Sequence, residues 1–139
     1  MPTLVDIDAD GDLDLFVGES SGRVLYFRNE GTAGTPRFAL VTDDFLDERL
    51  GRRAAPRFAD LFGDGLPSLI VGTEGGPPAI FRNLGSRAAP RFVRDSTLIL
   101  DLPPYSTPAF ADLRGTGLLD LVCGGGGGGI TYYRAEVRE

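Results

Sequence analysis

The sequence contains no histidine, no lysine and a single cysteine, and each absence removes a chemistry. Without imidazole there is no histidine general base, no Ser–His or Cys–His pair and no histidine-based metal site. Without lysine there is no Schiff base. Cys123 lies inside an apolar, strand-like stretch and reads as a small core hydrophobe rather than a nucleophile. One cysteine cannot form an internal disulfide. No apolar run approaches the roughly 20 residues that cross a bilayer, so no membrane insertion is expected. No charged-then-apolar leader is visible, which leaves the compartment open. All 14 basic residues are arginine, set against 20 acidic ones, and the net charge of −6 argues against a nucleic-acid surface. What is plentiful is aspartate, so carboxylate and calcium chemistry remain. With 139 residues, 42% of them hydrophobic, the chain fits one domain with a buried core.

Laying the chain against itself reveals its organisation. Pro2 to Gly18 reads PTLVDIDADGDLDLFVG, Pro56 to Gly72 reads PRFADLFGDGLPSLIVG, and Pro108 to Gly124 reads PAFADLRGTGLLDLVCG. The offsets are 56 − 2 = 54 and 108 − 56 = 52 residues. The same offsets align Tyr26-Phe27-Arg28-Asn29 with Ile80-Phe81-Arg82-Asn83 and with Tyr132-Tyr133-Arg134, and Pro36-Arg37-Phe38 with Pro90-Arg91-Phe92. One repeat domain thus covers residues 1–139, with units at about 1–55, 56–107 and 108–139.

Each unit reads as short strands joined by tight turns. In the first, strands are expected near Leu4–Ile7, Leu13–Val17, Val24–Arg28 and Phe38–Thr42. The Asp10-Gly11 pair suggests a hairpin turn, which places its central residues at positive φ. The second strand is apolar on both faces in the later units (Leu69, Ile70, Val71; Leu121, Val122, Cys123), as for a strand sandwiched between layers. The fourth, preceded by Pro36, is an edge candidate. No segment carries helical periodicity. The expected fold class is all-β: three four-stranded antiparallel β-propeller blades, the last lacking its outer strand. A solenoid is the runner-up. The glycine run Gly124–Gly129 reads as a flexible hairpin loop. The repeated Arg28, Arg82 and Arg134 look architectural, and Phe38, Phe58, Phe92 and Phe110 are expected between blades.

Asp6, Asp8, Asp10, Asp12 and Asp14 alternate through nine residues, with Gly11 after the third. Such a cluster repels itself unless a cation sits within it. Calcium (Ca2+) takes six to eight oxygens from carboxylates and carbonyls, and the spacing suits it. Asp6, Asp8 and Asp10 can point inward, Asp12 can offer its backbone carbonyl, and Asp14 closes the loop at position 9. An EF-hand is excluded, since position 12 is Val17 and no helices flank the loop. At positions 1, 3, 5 and 9 the second unit carries Asp60, Phe62, Asp64 and Ser68, and the third Asp112, Arg114, Thr116 and Asp120. One calcium per chain is therefore expected, in the first unit only. Arg114 is expected to replace the ion by pairing with Asp112 or Asp120. The position-1 aspartate persists in all three units, which suggests a second task, accepting turn N–H groups.

With these motifs, the chain resembles the FG-GAP/VCBS repeat family, the calcium-loop propellers also found in the integrin α-subunit head. The matching elements are Asp6-Ile7-Asp8-Ala9-Asp10-Gly11-Asp12-Leu13-Asp14, the apolar strand and glycine after it, and the Tyr-Phe-Arg-Asn strand. The resemblance implies calcium in the loop between a blade's first two strands, a rigid platform for protein or carbohydrate ligands, and an extracellular or cell-surface setting. It points to a non-enzymatic binding or scaffold module, with a lectin-like propeller and an engineered or fragmentary self-assembling array as alternatives. Propellers close with roughly four to eight blades. Three blades leave apolar ends, so a homodimer giving a six-blade ring is the expected assembly.

Overall fold

The computed structural model describes residues 1–137, and every element among them is a strand or a loop. Three antiparallel sheets follow one another along the chain. The first is β1 (Pro2–Val5), β2 (Asp14–Gly18), β3 (Val24–Asn29) and β4 (Phe38–Thr42), in sequence order. The second repeats it as β5 (Ala55–Ala59), β6 (Ser68–Thr73), β7 (Gly76–Asn83) and β8 (Phe92–Asp95). The third holds β9 (Thr107–Ala111), β10 (Asp120–Gly124) and β11 (Ile130–Tyr133), with no fourth strand among the described residues.

The register places equivalent residues in equivalent rows. On one face, here called the head, run Leu4–Leu15–Phe27–Leu40, then Phe58–Leu69–Phe81–Arg94, then Phe110–Leu121–Tyr133. On the opposite face, the tail, run Thr3–Phe16–Tyr26–Thr42, Arg57–Ile70–Ile80–Asp95 and Ala109–Val122–Tyr132. The core lies where tail meets head. Phe16 and Tyr26 of the first unit pack with Leu69, Val71 and Phe81 of the second, and Phe45, Leu46 and Leu50 of the connecting strap fill in between. Phe16 is wholly buried, stacked on Tyr26 with centroids 4.7 Å apart and flanked by Phe58 at 4.8 Å and Phe45 at 4.9 Å. At the second seam Phe110, Leu121 and Cys123 pack with strap residues Leu100 and Leu102. β6 is buried along its whole length, as a strand covered on both faces must be.

A glycine stands at or next to the end of the second strand in the first two units because the backbone leading into the next unit comes too close for a side chain. A Cβ on Gly18 would lie 2.1 Å from the Ala54 carbonyl oxygen, and one on Gly72 would lie 2.2 Å from that of Ser106. Arg53 and Tyr105, at the ends of the two straps, both adopt φ +59°, so the left-handed bend is part of the repeat.

Several expectations need correction. β1 begins and ends two residues earlier than the apolar pattern Leu4–Ile7 suggests; Ile7 leaves the strand, yet the first seam buries it. Phe38 does not lie between units: it sits on the first unit's outer side and is 40% exposed, whereas its equivalent Phe92 packs at the seam. The glycine run is not simply an open hairpin. A Cβ on Gly126 would meet the Tyr105 ring at 2.7 Å, and its N–H donates to the Pro104 carbonyl.

Candidate functional site

The loop joining β1 to β2 spans eight residues, too long for the two-residue hairpin that Asp10-Gly11 suggests. Its positive φ values fall at Ala9 (+63°) and Gly11 (+95°), not at both residues of the dipeptide. The equivalent loops place glycine at both points, Gly63 and Gly65, then Gly115 and Gly117, all at positive φ. The first loop alone holds a side-chain-bearing residue in the left-handed region, a conformation costing roughly 1–2 kcal/mol.

Asp6, Asp8 and Asp10 each bring a carboxylate oxygen to within 4.8 Å of the other two. Asp12 and Asp14 lie outside that trio. Asp14, 1% exposed, fixes the loop's far end, accepting the Asn29 N–H at 2.7 Å through Oδ1. Four oxygens of this loop are buried without a hydrogen-bond partner: Asp6 Oδ1, Asp8 Oδ1, Asp12 Oδ1 and Asp14 Oδ2. Buried carboxylate oxygens are costly unless paired. The strain is visible in protonation. Burial raises the Asp14 carboxyl above its ordinary value, and Asp8 and Asp10 push the same way against the Asn29 N–H. Asp12 is raised too, first by desolvation and then by Asp10, Asp8 and Asp6. The nearest cation, Arg28, stands 3.8 Å from Asp8 and half-exposed.

The other loops resolve the same geometry with arginine. In the third, Arg114 reaches Asp120 through Nε at 3.0 Å and Nη2 at 2.9 Å, while Asp120 accepts the Ala135 N–H at 3.0 Å. Asp120 stands at the position of Asp14 and accepts the equivalent strand-end N–H, but both of its oxygens are also paired with Arg114. Its carboxyl is accordingly held well below the usual range, chiefly by the guanidinium. Of the two partners expected for Arg114, the structure selects Asp120. In the second loop, Arg82 lies over the Phe62 ring at 4.0 Å and bonds Asp64 at 3.0 Å. The sequence reading missed this substitute because Arg82 comes from β7, 18 residues beyond Asp64. The bulky Phe62 at a ligand position was the available signal.

The position-1 aspartates also divide. Asp60 accepts the N–H groups of Asp64 and Gly65, and Asp112 those of Thr116 and Gly117, the turn-bracing task expected of them. In the first loop the Asp6 carboxylate takes no such bond among the described residues, and one of its oxygens is buried and free. The residues thus fit a divalent cation bound by oxygen. They are hard carboxylate donors, spaced for one ion, and four of their oxygens stay buried without a partner although Arg28 reaches Asp8 at 3.8 Å.

Residues 6–71 match the family model of an FG-GAP-like repeat, a stretch opening on the first loop aspartate and ending in β6. No curated protein and no solved structure matches the chain. The matched stretch runs through all of the first sheet that follows its acidic loop and into the second, and it supports assigning this repeat to the FG-GAP-like family.

Proposed function

We propose that this chain is a calcium-stabilised, β-propeller-type binding module, in which one ion braces the first unit and performs no reaction. The observation that carries this reading is the set of four buried carboxylate oxygens without partners, confined to one of three equivalent loops. Asp6, Asp8, Asp10 and Asp14 would hold the ion by side chain, and Asp12 would contribute a backbone oxygen. Calcium there supplies only charge neutralisation. Asp14 ties the loop to β3 through Asn29, so a braced loop also fixes the end of that strand. The FG-GAP-like repeat, whose family is generally non-enzymatic, favours a rigid platform over an enzyme.

Native mass spectrometry from calcium-containing buffer tests the reading, alongside titration calorimetry on the wild type and on Asp14→Asn. One ion per chain, lost or much weakened in Asp14→Asn, is expected. No uptake at millimolar calcium, or uptake indifferent to Asp14→Asn, would overturn it. A glycan array then decides whether the platform reads sugars or proteins.

A further inference from the structure

We propose that Arg28 is a built-in rival of the ion: its guanidinium neutralises the first loop until calcium displaces it, and so limits how tightly calcium is held. This rests on the calcium reading above and adds the control of that site by a residue outside its ligands.

The three equivalent loops differ in where their arginine sits. Arg28 and Arg82 occupy one position of the repeat. Each follows the phenylalanine that pairs with the second strand, Phe27 with Leu15 and Phe81 with Leu69. Arg82 has entered its loop. Its Nη2 donates to Asp64 at 3.0 Å, its guanidinium lies over the Phe62 ring at 4.0 Å, and its Nε is buried. In the third loop the guanidinium comes from Arg114 itself, at the third ligand position, and holds Asp120. Both of these loops carry only two aspartates at the four ligand positions, and a guanidinium fills each.

The first loop carries all its aspartates, and there the same arginine stops at the rim. Its Nε stands 3.8 Å from Asp8 Oδ2, beyond hydrogen-bond reach, and its side chain is 52% exposed against 38% for Arg82. From that rim it offsets the charge of the loop without pairing the four buried oxygens of Asp6, Asp8, Asp12 and Asp14. In the ion's absence this positive charge eases the mutual repulsion of the carboxylates. An ion bound through Asp8 would share that carboxylate with Arg28, and the like charges repel. Half-exposed, Arg28 has solvent to withdraw into. The arginine therefore lowers affinity twice, by stabilising the loop without the ion and by opposing the ion's entry.

The test is titration calorimetry with calcium, at fixed ionic strength, on wild type, Arg28→Gln and Arg28→Lys. Both variants replace a half-exposed side chain, so circular dichroism should find them folded. Arg28→Gln should bind calcium about tenfold more tightly, the scale set in water by a unit charge a few ångström from a divalent ion. Arg28→Lys keeps the charge and should stay near the wild-type affinity. An Arg28→Gln affinity equal to or below wild type overturns the proposal, since a residue that merely positions Asp8 would loosen the site when lost. Equal tightening in Arg28→Lys overturns it too, because charge would not be the cause. Unchanged affinity with one ion per chain throughout defeats the rivalry alone. No uptake by wild type or either variant at millimolar calcium defeats the calcium reading and the rivalry with it.

Discussion

Replacing Asp8 with asparagine should move stability in opposite directions with and without calcium. Asp8 shares the trio whose oxygens lie within 4.8 Å of one another, and it sits between Asp6 and Asp10 in sequence. At that separation one pair of charges repels by about 1 kcal/mol in bulk water and about 3.5 kcal/mol at the effective dielectric of a protein surface. Asp8→Asn removes two of the three pairs, so roughly 2 kcal/mol of repulsion is relieved even at the aqueous limit. Against this stands the loss of the Arg28 contact at 3.8 Å. An exposed ion pair of that kind is worth about 0–1 kcal/mol. In chelator the variant should therefore be more stable by about 1–2 kcal/mol, a melting temperature higher by roughly 3–8 °C for a chain of this size. In calcium at about 100 times the dissociation constant the wild type gains about 2.7 kcal/mol, and the variant loses most of that gain. The order of melting temperatures should invert. Differential scanning fluorimetry in chelator and over a calcium series measures it directly. A variant less stable than wild type in chelator would show that Asp8 is held by protein contacts, and the cation argument would fall with it.

Further outcomes follow from the same comparison of loops. Arg114→Asp combined with Thr116→Asp places carboxylates at the first, third, fifth and ninth positions of the third loop, and native mass spectrometry should then count two ions per chain instead of one. Arg114→Ser alone should destabilise the third unit, because the buried Asp120 loses its counter-charge; unchanged unfolding in urea would deny the substitution of arginine for the ion. The pair also sets a pH response. The folded Asp120 carboxyl lies below its unfolded value of about 4. Between those values the unfolded chain binds more protons, so stability rises with pH. Asp120's contribution is present above the unfolded value and is lost as pH falls through the folded one. Acid titration should unfold the third unit later in wild type than in Arg114→Ser, read by tyrosine fluorescence of Tyr132 and Tyr133.

Much of this protein could be read from its chain. The 54- and 52-residue offsets locate all three sheets, and the fourth strand is found at Phe38–Thr42 as its sequence suggests. The alternation from Asp6 to Asp14 marks the loop, and the departures at Phe62 and Arg114 mark the two that differ. Strand ends were less legible. Ile7 extends an apolar alternation past the end of β1, because burial at a seam and membership of a ladder both favour the same residue types. Turn geometry was misread for a related reason: an Asp-Gly pair is informative in a two-residue turn, and here it lies within a longer loop whose bends fall at Ala9 and Gly11.

Local spacing by itself determined the repeat, the all-β class and which loop carries the acidic alternation, since strand period and turn residues act over a few neighbouring positions. Only the tertiary structure decided which oxygens lack partners, that Arg114 pairs with Asp120, and that Arg82 reaches back to Asp64 and Phe62 from another strand. It also decided which apolar rows are covered and which face outward, because a strand buried on both sides and one buried on a single side can carry the same letters. What separates them is whether another sheet packs against the second face, and that depends on units some 50 residues apart in sequence.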